Sequence, residues 1–362
     1  MARIDSFLKL GLAQGCSDVH LAVGVPPMVR LHGDLVPIKF RELTATELDG
    51  YVNEILTQTQ QDLFSQNQDL DFSYISKDGG RFRVNVFHKH TGVGATFRNI
   101  PNKIPTMESL QLPPVMTKFC DLHQGMVLIT GSTGTGKSTT LAAMIDHLNS
   151  TRHLNIISLE DPIEFVHQSR RAQIVQRELG THVPSFAEGV RAALREDPDV
   201  ILIGELRDAD TISMAMTAAE TGHLVLGTLH TTGAVKSIDR IIDALPPAQA
   251  AQTKSFLAHS LQAVVTQALV KAPDGRGRKA IFEILVMTRA IAKLISTDQT
   301  HQILGQLQTG KDYGMQTMDQ ALLDAVENKL IDPDDAYRYA SDVKKFERFV
   351  TDSTILRAVK IA

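Results

Sequence analysis

Residues 131–138 read Gly-Ser-Thr-Gly-Thr-Gly-Lys-Ser, which fits the spacing G-x-x-x-x-G-K-[ST]. In this pattern the glycines turn backbone N–H groups toward a phosphate, the lysine reaches the outer phosphates and the hydroxyl binds Mg²⁺. The preceding run 126–130 is apolar, as in a buried strand, and 138–148 has the pattern of a helix. A strand, a glycine loop and a helix place a helix N-terminus against phosphate. We therefore predict a site for ATP and Mg²⁺, and the predicted nucleotide-binding residues are Ser132, Thr133, Gly134, Thr135, Gly136, Lys137, Ser138 and Thr139.

Acidic residues follow two further apolar runs of the chain. Glu205 comes just after the run 200–203, at the kind of strand end where ligands collect in open α/β sheets. Phosphate-loop enzymes commonly place an aspartate before this glutamate for Mg²⁺, but here the position is Gly204. The metal must then rely on Ser138, phosphate oxygens, water and a carboxylate from elsewhere. The segment 160–164, Glu-Asp-Pro-Ile-Glu, offers one, so we predict Glu205 and Glu164 as catalytic residues, with Glu164 also a candidate metal ligand.

His230 follows the apolar run 224–228, where an imidazole is placed to hydrogen-bond the outer phosphate of ATP. A lone histidine after a strand is more often a surface or core residue, and only the neighbouring motifs make His230 the third catalytic candidate. His223, which follows a predicted helix, is a weaker candidate.

Arginines are the remaining requirement, because a guanidinium from another domain or subunit commonly stabilises the charge on the transferred phosphoryl group. Strict alternation over 81–87 puts Arg81 and Arg83 on one face of a strand, and we expect Arg98 on the neighbouring strand. A solvated sheet face would explain the three residues equally well. Arg195, one helical turn after Arg191, is the alternative candidate, and the sequence does not choose between the two sets.

The bulk composition excludes several other classes of protein. A chain of 362 residues with 22% charged residues and a net charge of −4 is ordinary for a globular protein and gives no general attraction to nucleic acid. The chain has no tryptophan and 5% aromatic residues, a composition that does not indicate a surface for base stacking, so we expect no nucleic-acid partner. Cys16 and Cys120 are too few for a disulfide framework or a four-thiolate zinc site. We find no integral membrane segment and no signal-peptide core, and we predict a cytoplasmic protein whose membrane association is peripheral.

The order of predicted elements indicates an α/β protein of several domains. Residues 1–100 are predicted to form a small α+β domain with a helix over 7–15, a hairpin that turns at 32–34 and a capping box at Thr44 and Glu47. Residues 101–114 are rich in proline and predict a linker. In 115–287 the strands 155–159, 200–203, 224–228 and 280–284 alternate with helices, which predicts a parallel sheet covered by helices. Residues 288–362 are predicted to be helical, and the role of the tail 341–362 is left open.

The glycine loop and the segments 160–164, 204–205 and 227–230 together resemble the secretion-ATPase superfamily, with its Walker A, acidic, atypical Walker B and histidine motifs. Three phrases, Ser-Asp-Val-His-Leu at 17–21, Ala-Ala-Glu-Thr-Gly-His at 218–223 and Gly-Met-Gln-Thr-Met at 314–318, resemble the PilT family of type IV pilus retraction ATPases within it. The resemblance implies a PAS-like N-terminal domain, a RecA-like P-loop ATPase domain with a helical C-terminal region, and a homohexamer ring that holds ATP between the two domains. It also implies an inner-membrane pilus platform protein as partner and a position at the inner membrane. Glu205 would be the catalytic glutamate, Glu164 the glutamate of the acidic motif, and Arg81, Arg83 and Arg98 candidates for phosphate or interdomain contact.

Two features separate branches of the superfamily. The sequence shows no additional N-terminal domain and no four-cysteine module, both typical of extension and type II secretion ATPases, which favours pilus retraction and twitching motility. The retraction branch carries a phrase close to Ala-Ile-Arg-Asn-Leu-Ile, and here Ala292 and Lys293 replace its centre. The alternatives are therefore a pilus-extension, type II secretion or conjugation ATPase of the superfamily, or a nucleotide-gated scaffold that modulates another motor.

Overall fold

A computed structural model describes residues 2–31, 34–78, 80–100, 103–275 and 277–358. The chain forms two compact units. The first comprises Met1–Ile104 and Pro162–Val166, and the second comprises Pro105–Asp161 and His167–Ala362. The break at 104/105 lies within the predicted linker.

The first unit is an antiparallel sheet of six strands in the order β3-β2-β1-β6-β5-β4. Its elements are α1 (Asp5–Ala13), β1 (Asp18–Ala22), β2 (Met28–Leu31), β3 (Asp34–Pro37), α2 (Ala45–Asn53), α3 (Gln58–Ser65), β4 (Leu70–Ile75), β5 (Arg81–Lys89) and β6 (Gly92–Ile100). The strands β2 and β3 pair as the predicted hairpin, although its expected turn residues His32 and Gly33 lie outside the described residues.

Alternation along β5 builds the core of this unit. Phe82, Val84 and Val86 are fully buried on one face, and the rings of Phe82 and Phe97 pack edge to face at 6.4 Å. The predicted capping box at the start of α2 is confirmed, because the Thr44 side chain accepts from the backbone of Glu47 and the Glu47 side chain accepts from the backbone of Thr44. The first helix begins two residues earlier than predicted, at Asp5.

The second unit is a seven-stranded sheet in the order β13-β12-β7-β11-β10-β8-β9, with helices on both faces. Its first elements are α4 (Val115–Cys120), β7 (Gly125–Thr130), α5 (Lys137–Thr151), β8 (Asn155–Glu160), β9 (Gln173–Glu178), α6 (Phe186–Ala193), β10 (Val200–Ile203), α7 (Ala209–Glu220) and β11 (Leu224–Leu229). They are followed by α8 (Ala234–Ala244), α9 (Ala250–Ser260), β12 (Leu261–Lys271), β13 (Arg278–Val286), α10 (Arg289–Ser296), α11 (Ile303–Thr309), α12 (Met318–Glu327), α13 (Pro333–Tyr339) and α14 (Ile355–Ala358).

The sheet of the second unit is mixed, not wholly parallel as the alternation of elements predicted. Strands β12, β7, β11, β10, β8 and β9 run parallel, but β13 is antiparallel to β12. The predicted strand at 280–284 is real, and its direction was wrong because β12 was not recognised and the short connection 272–277 forces a hairpin. The edge strand β9 was also missed, since its polar sequence lacks the apolar run of a buried strand.

The C-terminal helices belong to the second unit and cover the β12–β13 hairpin. Phe346 is fully buried in a cluster with Val270, Ile281, Leu322 and Tyr337. The described part of the tail therefore packs on its own unit. Among the described residues, no helix is both long enough and apolar enough to cross a membrane.

Candidate functional site

The glycine loop joins β7 to α5 in the conformation that its composition requires. Gly131, Gly134 and Gly136 have positive φ angles of 140°, 79° and 87°. A Cβ atom on Gly131 would lie 2.4 Å from the carbonyl oxygen of Gln267, so only glycine fits there. Within the described residues no side chain caps the start of α5, which leaves the first N–H groups of this helix available to an anion.

The side chains of the loop brace it from within. The Lys137 Nζ atom donates to the carbonyl oxygens of Gly131 at 2.7 Å and Ser132 at 3.0 Å. The Thr135 hydroxyl also donates to the Ser132 carbonyl, at 2.8 Å. Lys137 and Thr135 are buried, whereas Ser132, Thr133, Gly134 and Ser138 are exposed and Gly136 and Thr139 are half-buried. The exposed groups are therefore those on the outer surface of the loop.

Gln267 is a structural partner of the loop that the sequence did not reveal. It lies on β12 with 4% of its surface exposed. Its Nε2 donates to the Thr135 carbonyl at 2.7 Å, and its Oε1 accepts from the Thr140 hydroxyl at 2.7 Å. The amide thus ties the loop to the first turns of α5. A polar residue within the largely apolar run 261–271 could have indicated this role, but the strand itself was not predicted.

Glu205, His230 and the loop lie together at the carboxyl ends of the parallel strands. The Glu205 Oε1 atom is 3.0 Å from His230 Nε2, and its Oε2 atom is 2.7 Å from Arg207 Nε. On the other side of the ring, His230 Nδ1 is 3.4 Å from the Thr133 hydroxyl. The imidazole therefore bridges the glycine loop and the carboxylate, and three of the four sequence motifs converge at one edge of one sheet.

Gly204, which replaces the usual aspartate before Glu205, lies close to the neighbouring strand. Its N–H donates to the carbonyl oxygen of Leu159 at 2.7 Å. A Cβ atom at this position would lie 3.1 Å from that oxygen and 3.3 Å from the Cα atom of Glu160. A side chain at this position would therefore press on the backbone of the neighbouring strand.

The acidic motif 160–164 divides between the two units. The Glu160 Oε1 atom accepts from Ser158 Oγ at 2.7 Å and Gln176 Nε2 at 3.0 Å within the second unit. Asp161 is exposed at the end of this part. Glu164 is half-buried and belongs to the segment Pro162–Val166 of the first unit. Its role as a catalytic residue or metal ligand remains a prediction.

The arginine candidates of the first unit share one face of its sheet. Arg83 pairs directly opposite Arg98, and each is balanced by an acid: Arg98 Nε lies 3.1 Å from Asp18 Oδ1 and Arg83 Nε lies 3.8 Å from Asp71 Oδ1. Arg81 donates from Nη2 to the carbonyl oxygen of Ile163 at 3.2 Å, which joins this face to the segment that carries Glu164.

The alternative arginines and the second histidine occupy other places. Arg195 lies just beyond the end of α6, and both it and Arg191 are exposed. The ring of His223 contacts the carbonyl oxygen of Ala218 at 2.9 Å, at the end of α7. This contact gives His223 a structural explanation.

A cleft of about 430 Å³ opens beside the glycine loop, within the size range of small-molecule sites. It lies between the segment 109–112, the start of α5 and the β12–β13 hairpin, and it is lined by Leu110, Gln111, Gly136, Thr139, Leu269 and Lys279 among others. Lys279 Nζ donates to Gln111 Oε1 at 2.7 Å across its rim.

Known proteins match both the sequence and the fold. The profile of the type II/IV secretion system protein family matches residues 66–330. The type IV pilus retraction ATPase PilT of Pseudomonas aeruginosa is 45% identical over 343 residues, covering 95% of this chain and 99% of that protein. A twitching motility protein of Neisseria gonorrhoeae is 49% identical over 316 residues, covering 87% and 84% of the two chains.

The crystal structure of the pilus retraction motor PilT with bound ADP superimposes with a TM-score of 0.89 at 39% identity, covering 96% of this chain and all of that one. This agreement confirms the predicted fold class, a small α+β domain followed by a P-loop ATPase domain. The chain is a nucleotide-binding ATPase that belongs to the type II/IV secretion system protein family, in the branch of the type IV pilus retraction ATPases.

Proposed function

We propose that this chain is an ATP-hydrolysing hexameric motor that powers type IV pilus retraction, and so pilus disassembly and twitching motility. The observation that carries the proposal is the convergence of Glu205, His230 and the glycine loop in a chain that is 45% identical to a pilus retraction ATPase and 49% identical to a twitching motility protein over most of its length. The adenosine part of ATP fits the cleft beside the loop, next to Thr139 and Leu269.

The residues of the site have distinct parts in hydrolysis. Lys137 and the N–H groups at the start of α5 bind the β- and γ-phosphates. Glu205 orients the attacking water and accepts its proton. His230 holds this carboxylate in place through Nε2, 3.0 Å from Glu205, and its Nδ1 exchanges the Thr133 hydroxyl, 3.4 Å away, for the γ-phosphate. Glu164, from the acidic motif, is the candidate carboxylate ligand for Mg²⁺.

Mg²⁺ fits a site of this composition. The described residues contain no group of three or more His, Cys, Asp or Glu side chains that could hold a metal ion by themselves. An exposed hydroxyl, Ser138, stands at the start of α5 beside the phosphate-binding loop. This donor set suits Mg²⁺, which keeps several waters and binds largely through substrate phosphates. When bound, the ion neutralises charge that develops on the phosphates.

In the proposed hexamer, the arginines of the first unit take part in ATP hydrolysis. We assign Arg81, Arg83 and Arg98 to contacts with phosphate or with the neighbouring domain, in preference to Arg195. Their clustering on one sheet face supports this assignment. In this proposal the hexamer works in the cytoplasm at the inner membrane, against the pilus platform protein.

The altered centre of the C-terminal motif is compatible with this function. Ile291 and Ile295 are fully buried in α10, whereas Ala292 is half-buried and Lys293 is exposed. The replaced positions therefore lie away from the packed face of the helix, and the fold and the nucleotide site do not depend on them. The same exposure favours the second candidate, a nucleotide-gated scaffold that modulates another motor, because a changed outer face alters what the helix binds.

Complementation separates the two candidates. The chain is expressed in a bacterium that lacks its retraction ATPase, and surface pili and twitching are measured together. A motor restores motility and lowers the number of surface pili, and its E205Q variant does neither. Persistent hyperpiliation without movement, from a chain that hydrolyses ATP and is well expressed, would contradict retraction. The scaffold would be supported if the E205Q variant changed surface pili and twitching as much as the unaltered chain does.

A further inference from the structure

Glu283 on β13 is a half-buried carboxylate that has no part in the site described above. Its Oε1 atom accepts from the backbone N–H of Ala234 at 2.7 Å. Its Oε2 atom accepts from the backbone N–H of Met318 at 3.3 Å. Ala234 is the first residue of α8 and Met318 is the first residue of α12, so one carboxylate serves the N-termini of two helices.

The α8 side of this contact leads to the nucleotide site. Helix α8 begins four residues after His230, and its N-cap is Gly233, which has no side chain to cap it. Glu283, which lies on β13, supplies the acceptor that Gly233 lacks and accepts the N–H of Ala234. The same connection is braced by Thr231 Oγ1, 2.6 Å from Ser237 Oγ, and by Ser237 Oγ, which donates to the Gly233 carbonyl at 2.7 Å. The loop that carries His230 is thus fixed at its far end by Glu283.

The α12 side leads to the C-terminal helices. Gln316 and Ile284 exchange two backbone hydrogen bonds, Ile284 N–H to Gln316 O at 2.9 Å and Gln316 N–H to Ile284 O at 3.1 Å. Thr317 then caps α12, and the next N–H, that of Met318, points to Glu283. The residues before α12 are therefore held against the strand that positions the His230 loop.

A third connection runs to the glycine loop. Glu283 stands opposite Thr266 in the β12–β13 hairpin, and the Thr266 hydroxyl lies 2.8 Å from that of Thr130. Thr130 is the last residue of β7, immediately before the loop. Thr130, Thr266 and Glu283 thus form a row across three strands, from the base of the phosphate-binding loop to the starts of α8 and α12.

We propose that Glu283 is a positioning residue, which sets the His230 loop relative to the phosphate-binding loop and to the start of α12. The proposal rests on ATP hydrolysis at the site described above. Each oxygen of the carboxylate accepts from the first N–H of one helix, so both oxygens are needed to hold the two helix starts. A glutamine keeps one acceptor and turns an NH₂ group toward the other N–H, which leaves that helix start unpaired. The pKa of Glu283 is raised, because burial outweighs the two backbone N–H groups, which lower it.

The test is a double-variant cycle on the full chain with E283Q, H230A and E283Q/H230A. We expect E283Q to lower kcat about tenfold while KM and the affinity for a fluorescent ADP analogue change less than about twofold, because the phosphate-binding loop is intact. The double variant should be no slower than H230A alone by more than about twofold, since Glu283 acts through His230. The control D335N also alters a carboxylate on a backbone N–H, that of Lys271 at 2.9 Å, and should leave kcat within about twofold.

M318P keeps the test decisive if E283Q fails to fold. Thr317 has the extended conformation that suits a residue before proline, and proline is tolerated at the first position of a helix. The change removes the N–H that Oε2 accepts, and we expect a smaller fall in kcat than with E283Q. The proposal is overturned if both E283Q and M318P leave kcat unchanged, or if the effects of E283Q and H230A multiply. A chain that hydrolyses no ATP at all would instead contradict the proposed function.

Discussion

The two sheets of this protein place charged side chains in different ways. In the antiparallel sheet of the first unit, arginines and acids spread across one face, and cross-strand pairs such as Arg83 and Arg98 lie in the middle of strands. In the second unit, the strands β7, β10 and β11 are buried along their whole length, and Glu205 and His230 stand beyond their carboxyl ends. A strand buried on both faces can offer polar groups to solvent only where it ends, whereas a strand with one open face can offer them along its length.

The charge balance differs as well. Asp18 and Asp71 of the first unit face the arginines of their own sheet, so that charge is largely neutralised locally. In the second unit Glu205 meets Arg207 and His230 next to a loop that is built for an anion. In the proposed function, Glu205 of the second unit activates water and the arginines of the first unit contact phosphate, so the arginines would have to exchange their acidic partners for phosphate oxygens.

The largest effect that we expect is on Glu205. E205Q keeps the size of the side chain and removes the proton acceptor, so kcat for ATP should fall about a thousandfold or more while nucleotide binding is retained. Steady-state hydrolysis and ADP-analogue titration measure the two quantities. Loss of both together would mean that Glu205 shapes the binding site and does not activate water.

The next effect concerns the arginines of the first unit. R83A and R98A should each lower kcat about ten- to a hundredfold, because an arginine that meets the transferred phosphoryl group is worth at least that much. R195A, which removes an exposed guanidinium at the end of α6, is the matched control and should change kcat less than about twofold. The assignment is reversed if R195A has the larger effect.

The two free cysteines report on the two units separately. Cys16 lies in the first unit and Cys120 in the second, with 2% and 1% of their surfaces exposed. Burial raises the pKa of both thiols, that of Cys120 to about 12, so native labelling near pH 8 should be slow. Labelling then requires the unit that contains the cysteine to unfold, and bound ADP opposes unfolding of the second unit, to which the phosphate-binding loop belongs. ADP at ten times its Kd should therefore slow the labelling of Cys120 about tenfold, and it should slow the labelling of Cys16 less.

Mass spectrometry of alkylated peptides resolves the two sites. Equal protection of Cys16 and Cys120 by ADP would show that the two units unfold together as one cooperative structure.

The smallest effect is expected at the strand end before Glu205. G204A places a Cβ atom 3.1 Å from a backbone oxygen and should lower the free energy of unfolding by about 1–2 kcal/mol. G227A on β11 is the matched control, because its Cβ would meet the end of a flexible side chain, that of Leu206 at 3.0 Å, and not backbone. Chemical denaturation compares them. A less stable G227A would mean that side-chain packing constrains this edge more than the neighbouring backbone does.

The conformation of the glycine loop was predicted more completely than the sheet that carries it. The order strand, glycine loop, helix needs only neighbouring residues, so Lys137 and Ser138 could be placed from the sequence. The strands β9 and β12 were missed because one is polar at an edge and the other follows directly on a helix. With β12 unrecognised, the roles of Gln267 and Glu283 could not be foreseen, since each acts on residues distant in the chain.

Local sequence patterns were enough to predict the candidate groups of the site: a loop of phosphate-binding composition, an acid and a histidine after apolar strands, and arginines on an alternating strand. Those assignments depend on local spacing, which fixes local backbone geometry. The three-dimensional fold was needed to show that His230 bridges Thr133 and Glu205, that Gly204 abuts a neighbouring strand, and that one hairpin holds the glycine loop and two helix starts. These contacts join residues far apart in sequence, and sheet order and register, which local patterns do not encode, bring them together.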